Sequence, residues 1–112
     1  MSACLSDGVE FYSPVAFRPF VGREVATAVL GFVAETFEDF RYVDELGSEA
    51  SHMLRFRARV GDREVEGVDL LETGEDGLVE RFTVMLRPLS AVMAMGEAMS
   101  EAFEAAGGKP GA

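Results

Sequence analysis

Apolar and polar positions alternate most regularly between Ser51 and Pro88. The alternation predicts three consecutive strands over Ser51–Val60, Arg63–Glu72 and Leu78–Arg87. Upstream, Val9–Tyr12 reads as a short strand stopped by Ser13-Pro14, and a loop carrying Phe17, Pro19 and Phe20 follows. Apolar residues at helical spacing (Val25, Val29, Phe32, Val33) predict a helix from Gly22 to about Thr36. Arg41–Glu49 reads as a further strand with a bend at Gly47-Ser48. A closing helix runs from Pro88 to about Ala106, with Leu89, Val92, Gly96, Met99 and Phe103 along one face and Gly107-Gly108 as its stop. Residues 1–8 are expected to be loose, residues 9–106 to form one domain, and residues 107–112 to fray.

The first hairpin of the run fixes its own register. Gly61-Asp62 suits a two-residue turn with glycine at the first central position. That turn sets Arg59 against Glu64 and Arg57 against Glu66, two opposite-charge pairs on one face. On the other face Ala58 meets Val65, Phe56 lies over Gly67, and Leu54 meets Asp69. A slip of one residue would send the arginines into the core. One face is therefore charged, with Arg55, Arg57, Arg59, Glu64, Glu66, Arg81 and Thr83. The other, with Leu54, Phe56, Ala58, Val65, Phe82, Val84 and Leu86, is apolar and awaits the two helices. The expected fold class is α+β, a curved antiparallel sheet with helices packed on its concave face.

The apolar face carries Asp69, with His52 and Glu80 on the same side by alternation. If the last hairpin pairs Gly67 with Phe82, Asp69 lies opposite Glu80. A carboxyl among apolar side chains has its charged form destabilised and its pKa raised. Protonated, Asp69 can donate to a ligand carbonyl or a developing oxyanion; ionised, it or Glu80 can accept a proton, and His52 can do either near neutral pH. Asp69, His52 and Glu80 are the catalytic candidates. Each also has a structural reading: Asp69 bonded to backbone, Tyr12 or Tyr42, and His52 and Glu80 turned to solvent at strand ends. Phe17, Phe32, Leu54, Phe56, Phe82, Val84 and Met93 are the candidate ligand-binding residues. Met95 and Met99 add adaptable apolar wall.

Composition narrows the classes. The chain of 112 residues carries 20 acids against 10 bases, a formal charge of −10 that repels phosphate backbones and argues against nucleic acid as a partner. The sequence has no apolar run of membrane-spanning length and no signal-peptide pattern, so a cytoplasmic protein without a membrane partner is expected. The single cysteine, Cys4, cannot close an internal disulfide, and no Cys/His spacing suggests a metal; no cofactor is expected.

Ser13-Pro14, Gly22-Arg23-Glu24, Glu66-Gly67-Val68-Asp69-Leu70-Leu71, Glu75-Asp76-Gly77-Leu78 and Thr83-Val84-Met85-Leu86-Arg87-Pro88 occur in an order and spacing that resembles the nuclear transport factor 2-like superfamily. That group includes SnoaL-like polyketide cyclases, limonene epoxide hydrolase and ketosteroid isomerase. The match runs from about Val9 to Phe103. It implies a cystatin-like cone with an apolar pocket between sheet and helices, and often a homodimer formed through the sheet. Asp69 matches the protonated oxyanion-hole aspartate of the isomerases. Their base is an aspartate directly before a proline, where this chain has Ser13. Their oxyanion tyrosine sits on an N-terminal helix that this chain is expected to lack, which would leave Phe11, Phe17, Phe20 and the last helix exposed for a partner copy. Three readings follow: a homodimeric pocket protein for a small apolar molecule; a cyclase-, isomerase- or dehydratase-type enzyme using Asp69 as acid or oxyanion donor; and an interaction or assembly module whose pocket is only core.

Overall fold

The computed structural model describes residues 4–105, with side chains to residue 101. The chain runs β1 (Leu5–Tyr12), β2 (Phe20–Val21), α1 (Arg23–Thr36), β3 (Glu38–Gly47), β4 (Ser51–Val60), β5 (Arg63–Thr73), β6 (Val79–Arg87) and α2 (Leu89–Ala105). The strands form one six-stranded sheet in the order β2-β1-β6-β5-β4-β3. The α+β class holds. The sheet is mixed rather than wholly antiparallel, because β1 reaches β6 only after the whole β3–β5 excursion and runs parallel to it. The segment expected to be loose is ordered from Leu5 onward, since Leu5 and Val9 supply buried core side chains. Phe103's side chain, the Gly107-Gly108 stop and the fraying tail fall outside the described residues.

The β4–β5 hairpin has the register that its turn dictates: Arg59 faces Glu64, Arg57 faces Glu66, Ala58 faces Val65, Phe56 faces Gly67 and Leu54 faces Asp69. The β5–β6 hairpin does not. Gly67 pairs with Leu86 and Asp69 with Val84, not with Phe82 and Glu80. The Gly74–Leu78 turn closes through Gly74 N–H to the Leu78 carbonyl, and Gly77 in its left-handed conformation donates back to Gly74. Glu72 then pairs with Arg81 and Thr73 with Val79, so Glu80 is the extra residue of a β-bulge.

Both helices close the apolar face, each rotated slightly from its expected orientation. In α1 the inward residues are Ala26 and Val29, with Leu30 and Val33 beside them, while Val25 is exposed. Gly22 precedes the helix at φ 105, a conformation that favours glycine, and its N–H bonds the Val9 carbonyl. In α2 the buried row is Ala91, Met95 and Met99, at i, i+4, i+8; Leu89 is 73% exposed and Met93 58%. Phe11 is fully buried and contacts Phe82 and Phe20, and Phe20 is half-buried; of the surface expected to be bare, Phe17, at 94% exposure, and Leu89 and Met93 of the last helix are exposed, with Val21 beside the first strand.

The edge strand β3 differs from the rest of the sheet. Every residue of it is exposed, and its pairing with β4 shifts register twice, between Glu38 and Arg41 and between Tyr42 and Asp44. At the first shift Asp39 takes φ 53, and its carboxylate accepts two hydrogen bonds from Arg59 at 2.6 and 2.9 Å. That kink turns Phe40 back onto Phe56, with ring centroids 4.8 Å apart.

Candidate functional site

Asp69 occupies the middle of β5 on the inner face and is only 6% exposed, the one buried charged residue of the described core. Period-two alternation places it there: the glycine two residues before it faces inward under Phe56, and Asp69 must follow. Beside it opens a cavity of about 240 Å³ lined by Leu30, Val33 and Ala34 of α1, Phe37, Phe40 and Tyr42 at the start of the edge strand, Asp69, and Phe82 and Val84 of β6. The walls are apolar apart from the Asp69 carboxyl and the Tyr42 hydroxyl.

These two polar groups touch. Tyr42 Oη donates to Asp69 Oδ2 at 3.1 Å. Burial pushes the Asp69 carboxyl up to about 6, and the tyrosine's hydrogen bond pulls only partly the other way. Tyr42 moves up to about 12, through burial first, then the nearby carboxylate charge, then its own hydrogen bond to that carboxylate. Near neutral pH Asp69 is mostly ionised and Tyr42 stays a donor. The pair can orient a ligand, hold one negative charge inside an apolar cavity, or exchange a proton in mildly acid conditions.

The other two catalytic candidates lie elsewhere. His52 is half-buried at the start of β4, against Gly47 and opposite Leu71, and does not line the cavity. Glu80 is exposed, because the bulge carries it away from the inner face and over Gly74. Among the ligand-binding candidates, Phe82 and Val84 line the cavity. Phe56 is fully buried core behind Phe40. Phe32 and Leu54 are half-buried outside the lining. Phe17 and Met93 are exposed, Phe17 at the rim of an open depression with Ser13 and Val92. Ser13, which the resemblance aligns with the isomerase base, accepts a hydrogen bond from the Ala16 N–H and closes a local turn outside the Asp69 cavity.

Leu30, Ala34, Phe37 and Phe40 line the cavity without having been expected there. Phe37 to Phe40 straddles a helix exit and a bulge, where neither period applies. The readable signal is three aromatics at 37, 40 and 42 just after a helix. Among the described residues no group of three or more His, Cys, Asp or Glu side chains is placed to hold a metal ion. No described helix is long and apolar enough to cross a membrane.

No family model matches the chain, and no curated protein does. Solved structures do. An uncharacterized protein conserved in bacteria with a cystatin-like fold, from Silicibacter pomeroyi, is 35% identical with a TM-score of 0.91, covering 92% of this chain and 73% of that one. A steroid delta-isomerase from Pseudomonas aeruginosa is 37% identical with a TM-score of 0.90, covering 94% of this chain and 78% of that one. An NTF-2 like protein of unknown function from Burkholderia xenovorans shares the fold at 15% identity and a TM-score of 0.67, covering 76% of this chain and 66% of that one.

Proposed function

The chain belongs to the nuclear transport factor 2-like superfamily with its cystatin-like fold, and from that premise we propose that it binds a small, largely apolar molecule in the cavity beside Asp69. One observation carries this reading: an apolar cavity of about 240 Å³ with a carboxyl and a phenol converging on it. For scale, an engineered apolar cavity of roughly 150 Å³ holds benzene, and drug-sized sites run from about 300 Å³ upward. A single ring with a short substituent suits the volume; a four-ring skeleton does not.

The steroid isomerase relative makes an enzyme reading available. Asp69 with Tyr42 would serve as acid or oxyanion donor. The binding reading is the better supported, because Ser13 cannot act as a base at neutral pH and neither His52 nor Glu80 lines the cavity. We also propose that two copies associate through the outer sheet face. Met53 and Met85 are exposed there among Arg55, Arg57, Arg87, Glu66 and Asp44, a surface with both signs of charge that suits self-association. Light scattering on the purified protein is expected to give twice the chain mass, and a monomer ends the dimer reading.

The pocket is tested by native mass spectrometry of the purified chain and by amide NMR titration with single-ring probes. Binding predicts shifts at Leu30, Val33, Phe40, Tyr42 and Val84. Shifts scattered over the outer face, or none, overturn it.

A further inference from the structure

The cavity has an electrostatic peculiarity that bears on what fills it. Asp69 Oδ2 accepts from Tyr42, while Oδ1 accepts no hydrogen bond from any described residue and is not sealed away from the cavity. Among the described residues no arginine or lysine lines the cavity, so none of them gives the carboxylate a counter-charge there. An apolar pocket with one uncompensated anion is incomplete, because a buried charge needs a partner. The walls favour a cation as well. Phe37, Phe40, Tyr42 and Phe82 present rings to the space, and ring faces attract cations. The chain's formal charge of −10 concentrates cations around it.

We infer that the occupant is a small lipophilic ammonium ion, a single-ring primary amine whose nitrogen sits on Asp69 Oδ1 with its ring among the aromatic side chains. This rests on the pocket reading above and sharpens it from an apolar molecule to a cationic one. The ammonium supplies the donor that Oδ1 lacks and the charge that the carboxylate lacks. A neutral isostere supplies at most the donor.

The test compares benzylamine with benzyl alcohol, the same ring with and without the charge, by calorimetry on the full chain at pH 7.5 with NMR to locate the bound probe. The amine is expected to bind at least about tenfold more tightly. Asp69→Asn is expected to abolish that preference, the amine losing at least about tenfold in affinity relative to the alcohol. In the unaltered chain amine affinity is expected to fall as pH drops through about 6, where Asp69 takes up its proton. Tyr42 remains neutral across that range, and the lining residues from α1 and β6 do not titrate. The pH profile needs no variant to fold. Alcohol binding as tight as the amine overturns the ammonium inference and leaves the pocket standing. An amine preference that survives Asp69→Asn also overturns it, since surface charge would then be the cause. If neither probe enters the cavity, the pocket reading itself falls and this inference with it.

Discussion

Glu66 and Asp69 stand three residues apart on one strand and live under opposite conditions. Glu66 faces outward, where Arg87 at 3.1 Å, Arg55 at 3.2 Å and Arg57 at 3.4 Å gather around its carboxylate. Its pKa is lowered, chiefly by the hydrogen bond from Arg87 and against a smaller cost of desolvation. Asp69 faces inward, has one phenol for company, and is pushed up to about 6 by burial. An odd number of residues along the pleat separates a carboxylate held firmly ionised from one whose charge is costly. The face of the sheet, rather than the residue type, decides what an acid can do here.

The contrast can be broken hardest at Phe56, the fully buried ring over Gly67. Phe56→Ala is expected to destabilise the fold by about 3–5 kcal/mol and to let water reach the inner face, which a urea titration reads. Gly67→Ala comes next. A Cβ there would lie 2.4 Å from Phe56 Cζ and 2.7 Å from the Met85 carbonyl oxygen, and the expected loss is about 1–3 kcal/mol. Unchanged stability would mean that the sheet is looser between the two acids than its register implies.

Asp69→Asn probes the inner acid alone. Because the folded pKa, about 6, lies above the unfolded value near 4, the native state holds the proton more tightly. Stability from this group is therefore fully present below about pH 4 and is lost as pH rises through about 6. The unaltered chain is expected to lose up to about 2–3 kcal/mol through this group between its acid limit and pH 7.5, and the Asn variant to lack that decline. Parallel pH profiles for the two proteins would contradict the burial argument. Glu66→Gln gives the smallest effect and the opposite sign. The Glu66 contribution is present above the unfolded pKa and is lost as pH falls through the lowered folded value. Exposed pairs are also screened, so added salt should shrink the difference between wild type and variant.

The sequence made one hairpin legible and misplaced the other for a definite physical reason. Gly61-Asp62 leaves a single closure, and each cross-strand pair agrees with it. The Gly74–Leu78 turn is longer, and the bulge at Glu80 leaves no mark in the hydrophobic pattern. Pairing Gly67 with Phe82 misses its true partner Leu86 by four residues. Four is even, and side chains repeat every two, so the inner face was still identified correctly and Asp69 with it. The aromatic rim was hidden because the register shifts in β3 destroy the alternation that reveals strands. Helix faces were recovered to within about one residue: Ala26 replaces Val25, and Met95 takes the place given to Gly96.

The twice-shifted register of β3 has a further consequence. An outermost strand offers a row of free backbone donors and acceptors, and a flat one invites another chain to extend the sheet without limit. Here the ladder is offset near Asp39 and again near Val43, and Glu38, Asp39, Asp44 and Glu45 crowd the same border with negative charge. An incoming strand would lose its hydrogen-bonding phase within a few residues and meet repulsion as well. The irregularities that shape the rim of the cavity thereby also guard the protein against fibrous aggregation.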